Sequence, residues 1–379
     1  MAIRPPEELA EARERWTAWF EGSLKGGPII HIEAPLDSPR RVPRPLRPAA
    51  GAEVRWTCLE YRLAQARNRM DSRLFAGDAV PSWFANLGPG SLAAFLGPRP
   101  GFSEESIWFR EYDDTSLEAM LAGIRLDPGN DFLRLARELA RRAIEEAEGD
   151  YLVSLSDLGG DLDILASLRG SERLLVDFIE DPLTLALCRD RIGELWMDCY
   201  RDQETIIGGA GQVGRSCWIP AWYPRPWSVL QCDLSVMLSP AMFDEFALPE
   251  LARKTEALER TIYHLDGPGE WRHLDSILSL PGLDAIQYVS LPGDPPNEDP
   301  YWLPKYRKIA EAGKGIIIFA RDPRKVAELA KGLPAERLAV ILELASEPEA
   351  RACALNGASR QDRRMIDGDS TPSRNRRTS

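Results

Sequence analysis

The feature that most constrains the fold of this chain is a repeated alternation between short apolar runs and longer amphipathic segments. The apolar runs, several rich in β-branched residues, predict eight strands at 28–34, 72–78, 151–156, 214–218, 261–265, 285–289, 315–319 and 338–343. Helical patterns separate most of them, and the clearest one, at 131–148, gathers on one side Phe132, Leu133, Leu135, Leu139 and Ile144. Such alternation predicts a parallel sheet covered by helices.

Eight strands suit a (β/α)8 TIM barrel, a fold of roughly 250 residues that tolerates long insertions. We therefore predict an α/β protein with a (β/α)8 barrel at 28–354 and an N-terminal helical extension at 1–27. Residues 355–379 are polar and predict a disordered tail where a barrel would need its last helix. An open doubly wound sheet is the alternative, although no G-x-G-x-x-G follows the first strand.

Composition excludes several classes of partner. A net charge of −12 and a pI near 5.0 argue against nucleic acid, because phosphate backbones are bound by clustered cations. No apolar run approaches membrane-spanning length, and residues 1–14 contain no apolar signal core. Six scattered cysteines without a C-x-x-C pair suit reduced thiols. We expect a cytoplasmic protein that uses neither nucleic acid nor a membrane.

The segment from Tyr263 to Gly269, with sequence YHLDGPG, carries the clearest chemical pattern. His264 and Asp266 stand two residues apart, which places both side chains on one face of a strand. The glycines that follow allow a sharp turn. Such a pair at the carboxyl end of a strand can bind a metal or move a proton, or it can simply shape a loop.

A barrel active site collects side chains from the carboxyl ends of its strands. That rule selects as catalytic candidates Asp78, His264 and Asp266. It selects as substrate-binding candidates Asp157, Asp161, Trp218, Trp222, Trp227, Gln287 and Tyr288. The three tryptophans lie in a Pro-rich segment, where they would either wall a pocket or pack a loop against the barrel.

A metal site is the most specific chemical prediction. His264, Asp266 and Glu343 offer one nitrogen and two carboxylates, a set that suits zinc or another divalent metal with an open position. Such an ion would lower the pKa of a bound thiol or water. The Arg-rich segment 35–51 is either a solvated loop or a lid that meets an anionic substrate.

At these residues the chain resembles the uroporphyrinogen decarboxylase (URO-D) superfamily, which also contains cobalamin-dependent methyltransferases. The resemblance covers about 28–350, and its clearest motifs are 77–81 (GDAVP), 168–172 (LRGSE), 233–235 (DLS), 264–267 (HLDG) and 282–287 (GLDAIQ). It implies a (β/α)8 barrel with its site at the carboxyl face, and it puts Asp78 at the position of the family's catalytic aspartate.

The two branches of that superfamily fit differently. Decarboxylases carry R-Q-A-G-R after the first strand, where this chain has the sequence IEAPL at 32–36. Methyltransferases bind zinc through H-x-C and a later cysteine, and this chain is similar in keeping His264. Asp266 replaces the first cysteine, and Glu343 lies near the second. The resemblance thus implies an oxygen-rich metal site or a metal-free one.

The leading hypothesis is a corrinoid-linked methyltransferase that acts on a small molecule through a His/carboxylate metal site. The corrinoid, as methylcobalamin, would be carried by a partner protein, because this chain contains no D-x-H-x-x-G signature. The alternatives are a decarboxylase that uses Asp78 without a metal, and a non-catalytic barrel that binds a small molecule. A missing last helix would expose apolar surface, which a homodimer would cover.

Overall fold

The computed structural model describes residues 2–46, 51–112, 115–154 and 156–355. Residues 347–355 are helical, so the barrel region does end in a helix. The polar tail predicted at 355–379 lies outside the described residues, except for Leu355.

The strands and helices alternate through most of the described chain. The strands are β1 (Ile29–Pro35), β2 (Arg73–Gly77), β3 (Ser82–Phe84), β4 (Gly101–Phe102), β5 (Ile107–Trp108), β6 (Leu152–Ser154), β7 (Ser228–Leu230), β8 (Thr261–Asp266), β9 (Ala285–Val289), β10 (Gly315–Ala320) and β11 (Leu338–Glu343). The helices are α1 (Pro6–Phe20), α2 (Ala52–Thr57), α3 (Leu59–Asp71), α4 (Leu92–Leu96), α5 (Leu117–Gly123), α6 (Asp131–Ala147), α7 (Asp161–Arg169), α8 (Ser171–Glu180), α9 (Pro182–Gly209), α10 (Pro240–Met242), α11 (Leu248–Ala257), α12 (Leu274–Leu278), α13 (Leu303–Glu311) and α14 (Pro323–Leu329).

The main sheet has seven strands in the order β2-β1-β11-β10-β9-β8-β7. Every neighbouring pair is parallel except β1 with β2, which is antiparallel. β3 and β6 form a separate parallel pair. The predicted α/β fold with a mostly parallel sheet is confirmed, whereas strand pairing between the described residues leaves the barrel open instead of closing it.

One face of the main sheet shares an apolar cluster with α1 and β6, formed in part by Ile262, Ile317, Ala339, Leu152, Trp16, Trp19 and Phe20. The Trp19 ring lies so close to Gly315, the first residue of β10, that a Cβ there would sit 2.6 Å from it. The helix α1 therefore covers the amino-terminal edge of the sheet. Polar side chains gather at the opposite, carboxyl edge.

Two predicted strands are corrected by the structure. The segment predicted at 72–78 forms β2, which runs antiparallel to β1, whereas β3 pairs in parallel with β6 outside the main sheet. Residues 214–218 make one isolated bridge, between Arg215 and Tyr223, and the strand at this position is Ser228–Leu230. Apolar content alone encodes neither strand direction nor the choice between two nearby apolar runs.

Among the helices of the described residues, none is both long and apolar enough to span a membrane. All six cysteines are free. Burial raises the pKa of the Cys217 thiol, so this residue is an inert packing group.

Candidate metal site

Three side chains that can bind a metal converge at the carboxyl edge of the main sheet. His264 and Asp266 lie at the end of β8, and Asp233 follows β7, the neighbouring strand. One ligand atom from each lies within 4.8 Å of the other two, and all three residues are partly buried. His264 Nε2 is 3.9 Å from Asp266 Oδ1, so a single ion can contact both after a small rotation of the side chains.

Gln287 determines which nitrogen of His264 faces these carboxylates. Gln287 is the register partner of His264 on β9. Its Nε2 donates to the carbonyl oxygen of Tyr288 at 2.8 Å, so its Oε1 accepts from His264 Nδ1 at 2.5 Å. Nδ1 therefore carries the proton, and Nε2 is left with a lone pair. Burial lowers the pKa of His264, which keeps the ring neutral and suited to a metal.

The site brings together several carboxyl groups that its protein partners do not neutralise. Burial, together with Asp163 and Asp266, raises the pKa of Asp233 to about 8. Burial and the same neighbouring carboxylates raise the pKa of Glu270 to about 10. Asp233 Oδ1 and Glu270 Oε1 are buried and accept no hydrogen bond from any described residue. A cation held by Asp233, His264 and Asp266 would remove the repulsion and give Asp233 Oδ1 a partner.

The aspartates that follow β6 have separate structural roles. Asp161 is neutralised by Lys254, whose Nζ lies 2.5 Å from its Oδ1. Asp163 accepts from the backbone N–H groups of Asp233 and Leu234 and so fixes the Asp233 loop. Asp157 accepts from Gly159 N, and burial raises its pKa to about 6. Of these three, Asp163 is the one that positions a metal-ligand candidate directly.

The three tryptophans predicted to wall a pocket are separated by the fold. The Trp218 ring stands edge-on to His264, with centroids 4.9 Å apart. Trp222 and Trp227 are buried in the core that contains α1, where their indole N–H groups donate to the backbone oxygens of Val213 and Arg215. Only Trp218 of this set therefore borders the metal-site candidate, and the other two pack the loop against the core.

Asp78 lies at the opposite edge of the sheet from His264. Because β2 is antiparallel to β1, its end lies beside the beginning of β1. Asp78 Oδ1 accepts from Arg15 Nε at 2.7 Å, and Oδ2 accepts from Ile30 N at 2.7 Å. The expected position of Asp78 at the carboxyl edge is thus corrected: its carboxylate joins α1 to β1.

Two further candidates lie away from the triad. Glu343 Oε1 is 2.5 Å from Arg73, so its place in the predicted metal site is taken by Asp233. Tyr288 alternates to the outer face of β9 and packs on Trp271 and Trp302. The position of Tyr288 follows from register, because neighbouring residues on one strand face opposite sides of the sheet. Glu343 belongs to the same face as His264, but it lies on a strand three places away in the sheet.

The Arg-rich segment 35–51 does not present its described arginines as a lid. Arg40 donates to backbone carbonyl oxygens of Met70 and Arg73. Arg41 and Arg44 form ion pairs with Asp150 and Glu146. Arg47 lies outside the described residues.

Comparison with known proteins places the fold. No protein-family model matches the chain, and no curated protein sequence matches it. The structure is similar to that of a methyltransferase from Methanosarcina mazei, with a TM-score of 0.57, 13% sequence identity, and coverage of 93% of this chain and 99% of that chain. At this identity the likeness shows a shared fold, while membership of the URO-D superfamily stays a prediction.

Proposed function

We propose that this chain is a methyltransferase-like enzyme that acts on a small molecule and binds a divalent metal through Asp233, His264 and Asp266. The methyl group would be carried by a corrinoid on a partner protein. The observation that carries the proposal is the convergence of these three side chains at the carboxyl edge, with His264 Nε2 presented by Gln287. The methyltransferase with the similar fold supports the reaction class.

The donor set fits a metal of intermediate or hard character. One imidazole nitrogen and two carboxylates suit zinc, manganese or iron, and the absence of thiolate from this set disfavours a soft ion. Asp233 Oδ1 is buried and accepts no hydrogen bond from the described part of the chain, as expected for an atom that belongs to a ligand. Three protein ligands leave positions for a substrate atom.

The chain's own residues would prepare the site for this ion. When bound, a divalent ion lowers the pKa of a coordinated hydroxyl or thiol and so favours the nucleophilic form of a methyl acceptor. Gln287 holds the proton on His264 Nδ1, Asp163 holds the Asp233 loop, and Trp218 restricts water beside the imidazole. Glu270 is buried and its pKa is raised by burial, Asp233, Asp163 and Asp266, so it would hold a proton whenever the cation is absent.

The two alternatives make different demands on the structure. A decarboxylase based on Asp78 would need that carboxylate free at the carboxyl edge, but it is paired with Arg15 at the amino edge. A non-catalytic barrel would bind its ligand without turnover, and loss of His264 would then change affinity alone. A homodimer and a cytoplasmic location stay predictions.

The test is metal content, measured by elemental analysis after purification without chelator and incubation with zinc or manganese. Wild type should retain about one ion per chain, and Asp233→Asn and His264→Ala should lose it. Glu343→Gln is the matched control, because this carboxylate at the same edge pairs with Arg73, and it should retain the ion.

Turnover is tested on the loaded protein with methylcobalamin as methyl donor and a panel of small thiols, alcohols and amines. Demethylation that requires both the metal and an acceptor would support the proposal. Metal-free wild-type protein after incubation, or loss of metal in Glu343→Gln together with retention in Asp233→Asn, would overturn the metal assignment.

A further inference from the structure

A second polar region at the carboxyl edge is a cleft of about 710 Å³ between α2, α3, β2 and β3. This volume is in the range of small-molecule sites. Arginines supply much of its polar lining, namely Arg55, Arg62, Arg69 and Arg73. Arg73 pairs in register with Pro35 at the end of β1, so the cleft and the metal-site candidate share one edge of the sheet.

Arg62 is the most informative residue of the cleft. Its side chain is buried, with 7% relative exposure, and its guanidinium lies over the rings of Trp56 and Trp83 at 5.4 and 5.8 Å. One nitrogen donates to Asn86 O, whereas Nε is buried without an acceptor. No carboxylate within the described residues forms an ion pair with Arg62. A buried, stacked and unpaired guanidinium normally has an anionic partner.

The other charges of the cleft leave room for such a partner. Arg69 and Arg73 both pair with Glu33, and Arg73 also pairs with Glu343, but Arg73 Nε is buried without an acceptor among the described residues. Glu104 and Glu105 also border the cleft, but both are exposed to solvent. The whole chain carries a charge of −12, so its overall field repels anions, and Arg62 is the arginine of this cleft without a carboxylate partner among the described residues.

We propose that this cleft binds the oxyanion group of a small molecule, a phosphate or a carboxylate, with Arg62 as a direct contact and Arg69 and Arg73 beside it. Guanidinium groups match both oxyanions in bidentate geometry, and the stacked indoles hold Arg62 in a fixed orientation. The inference goes beyond the proposed methyltransferase function and does not depend on the metal.

The test is isothermal titration of the purified protein with sodium phosphate and with tricarballylate, at ionic strength held constant with sodium chloride. Saturable binding of at least one probe is expected. Arg62→Met keeps an apolar stem between the two indoles and should raise Kd at least tenfold. Arg142→Gln on α6 is the control, because this partly exposed arginine does not line the cleft, and it should leave Kd unchanged.

A second measurement separates binding from a structural role. Without ligand, Arg62→Met should melt no lower than wild type, since it removes an unpaired buried charge; a purely structural Arg62 would give a lower Tm. If Arg62→Met does not fold, Arg69→Gln takes its place, because Arg69 is 54% exposed and should still raise Kd severalfold.

The pattern of binding identifies the ligand class. Binding of phosphate alone indicates a phosphate ester, and binding of tricarballylate alone indicates a polycarboxylate. Failure of both probes, or equal Kd values for wild type and the arginine variants, would overturn the proposal. Asp233→Asn should bind the anion as wild type does, so failure of the metal assignment and failure of this inference are distinguishable.

Discussion

His264 and Gln287 are paired in register on adjacent parallel strands, and their side chains are joined by a hydrogen bond of 2.5 Å. The bond links ligand orientation to the strand register itself. Gln287 also donates to the Tyr288 carbonyl, so its amide cannot rotate by half a turn without losing both hydrogen bonds. The ring nitrogen of His264 that faces Asp266 is thus selected by the sheet itself.

Replacing Gln287 by alanine should therefore weaken metal binding without removing a ligand. Loss of such an orienting partner typically costs about 10- to 100-fold in affinity. Chelator competition with zinc or manganese measures the change. Tyr288→Phe is the matched control, because this neighbouring side chain faces the other side of the sheet, and its affinity should equal that of wild type. Equal affinity in Gln287→Ala would show that the hydrogen bond does not orient the ligand.

Metal binding should also stabilise the fold. A ligand at 100 times its Kd that binds the folded state alone adds about 2.7 kcal/mol to the free energy of unfolding. We expect a rise in Tm with zinc or manganese in wild type and none in Asp233→Asn. The metal-free variant should melt no lower than metal-free wild type, because it removes one carboxylate from a crowded acidic group. A lower Tm would mean that Asp233 is chiefly a structural residue.

Glu33 should make stability depend on pH in the acid range. Burial alone would raise the pKa of this carboxyl. His31, Arg69 and Arg73 lower the pKa by more than burial raises it, so it falls from 4.5 to about 2. Between these values the unfolded chain binds more protons than the folded one. The stabilisation, on the order of 3 kcal/mol, is therefore complete above pH 4.5 and is lost as pH falls toward 2.

Urea unfolding of wild type and Glu33→Gln from pH 2.5 to 7 measures this contribution. The difference in unfolding free energy should be largest at neutral pH and should shrink steadily below pH 4.5. A difference that does not vary with pH would mean that the Glu33 carboxylate contributes through packing and not through its charge. Glu347→Gln, at a partly buried position at the start of the helix 347–355, should show a smaller effect.

The Arg15–Asp78 pair should contribute stability and leave the metal site unchanged. Its side chains are 13% and 9% exposed, and removal of one partner from a buried pair costs about 3 kcal/mol or more. Asp78→Ala should therefore lower the urea midpoint while metal content stays at the wild-type value. A double-mutant cycle with Arg15→Ala measures the coupling. If Asp78→Ala is stable but does not transfer methyl groups, Asp78 takes part in the reaction and this prediction is wrong.

The last four strands show what the sequence could predict. The segments 261–265, 285–289, 315–319 and 338–343 agree with β8 to β11 to within one residue at each end. These strands are buried on both faces, so their apolar runs are continuous, and each is bounded by turn residues. His264 and Asp266 were therefore correctly placed on one face of a strand end.

The errors have a common physical cause, which is that pattern does not specify pairing. Asp78 was placed at the carboxyl edge because an apolar run preceded it, but β2 is antiparallel and reverses that edge. Asp233 was missed as a ligand because β7 is only three residues long and follows a Pro-rich aromatic segment. Glu270, buried under the carboxylates, carries no local sequence pattern at all.

The aromatic residues of α1 have a consequence for how the molecule is approached. Trp16, Trp19 and Phe20 fill the amino-terminal edge of the core, so their packed rings block the entry of a ligand at that end. If the proposed function holds, the small molecule and the carrier protein would both approach from the carboxyl side. A substrate bound first would then lie beneath the carrier, which would give the reaction a compulsory order of binding.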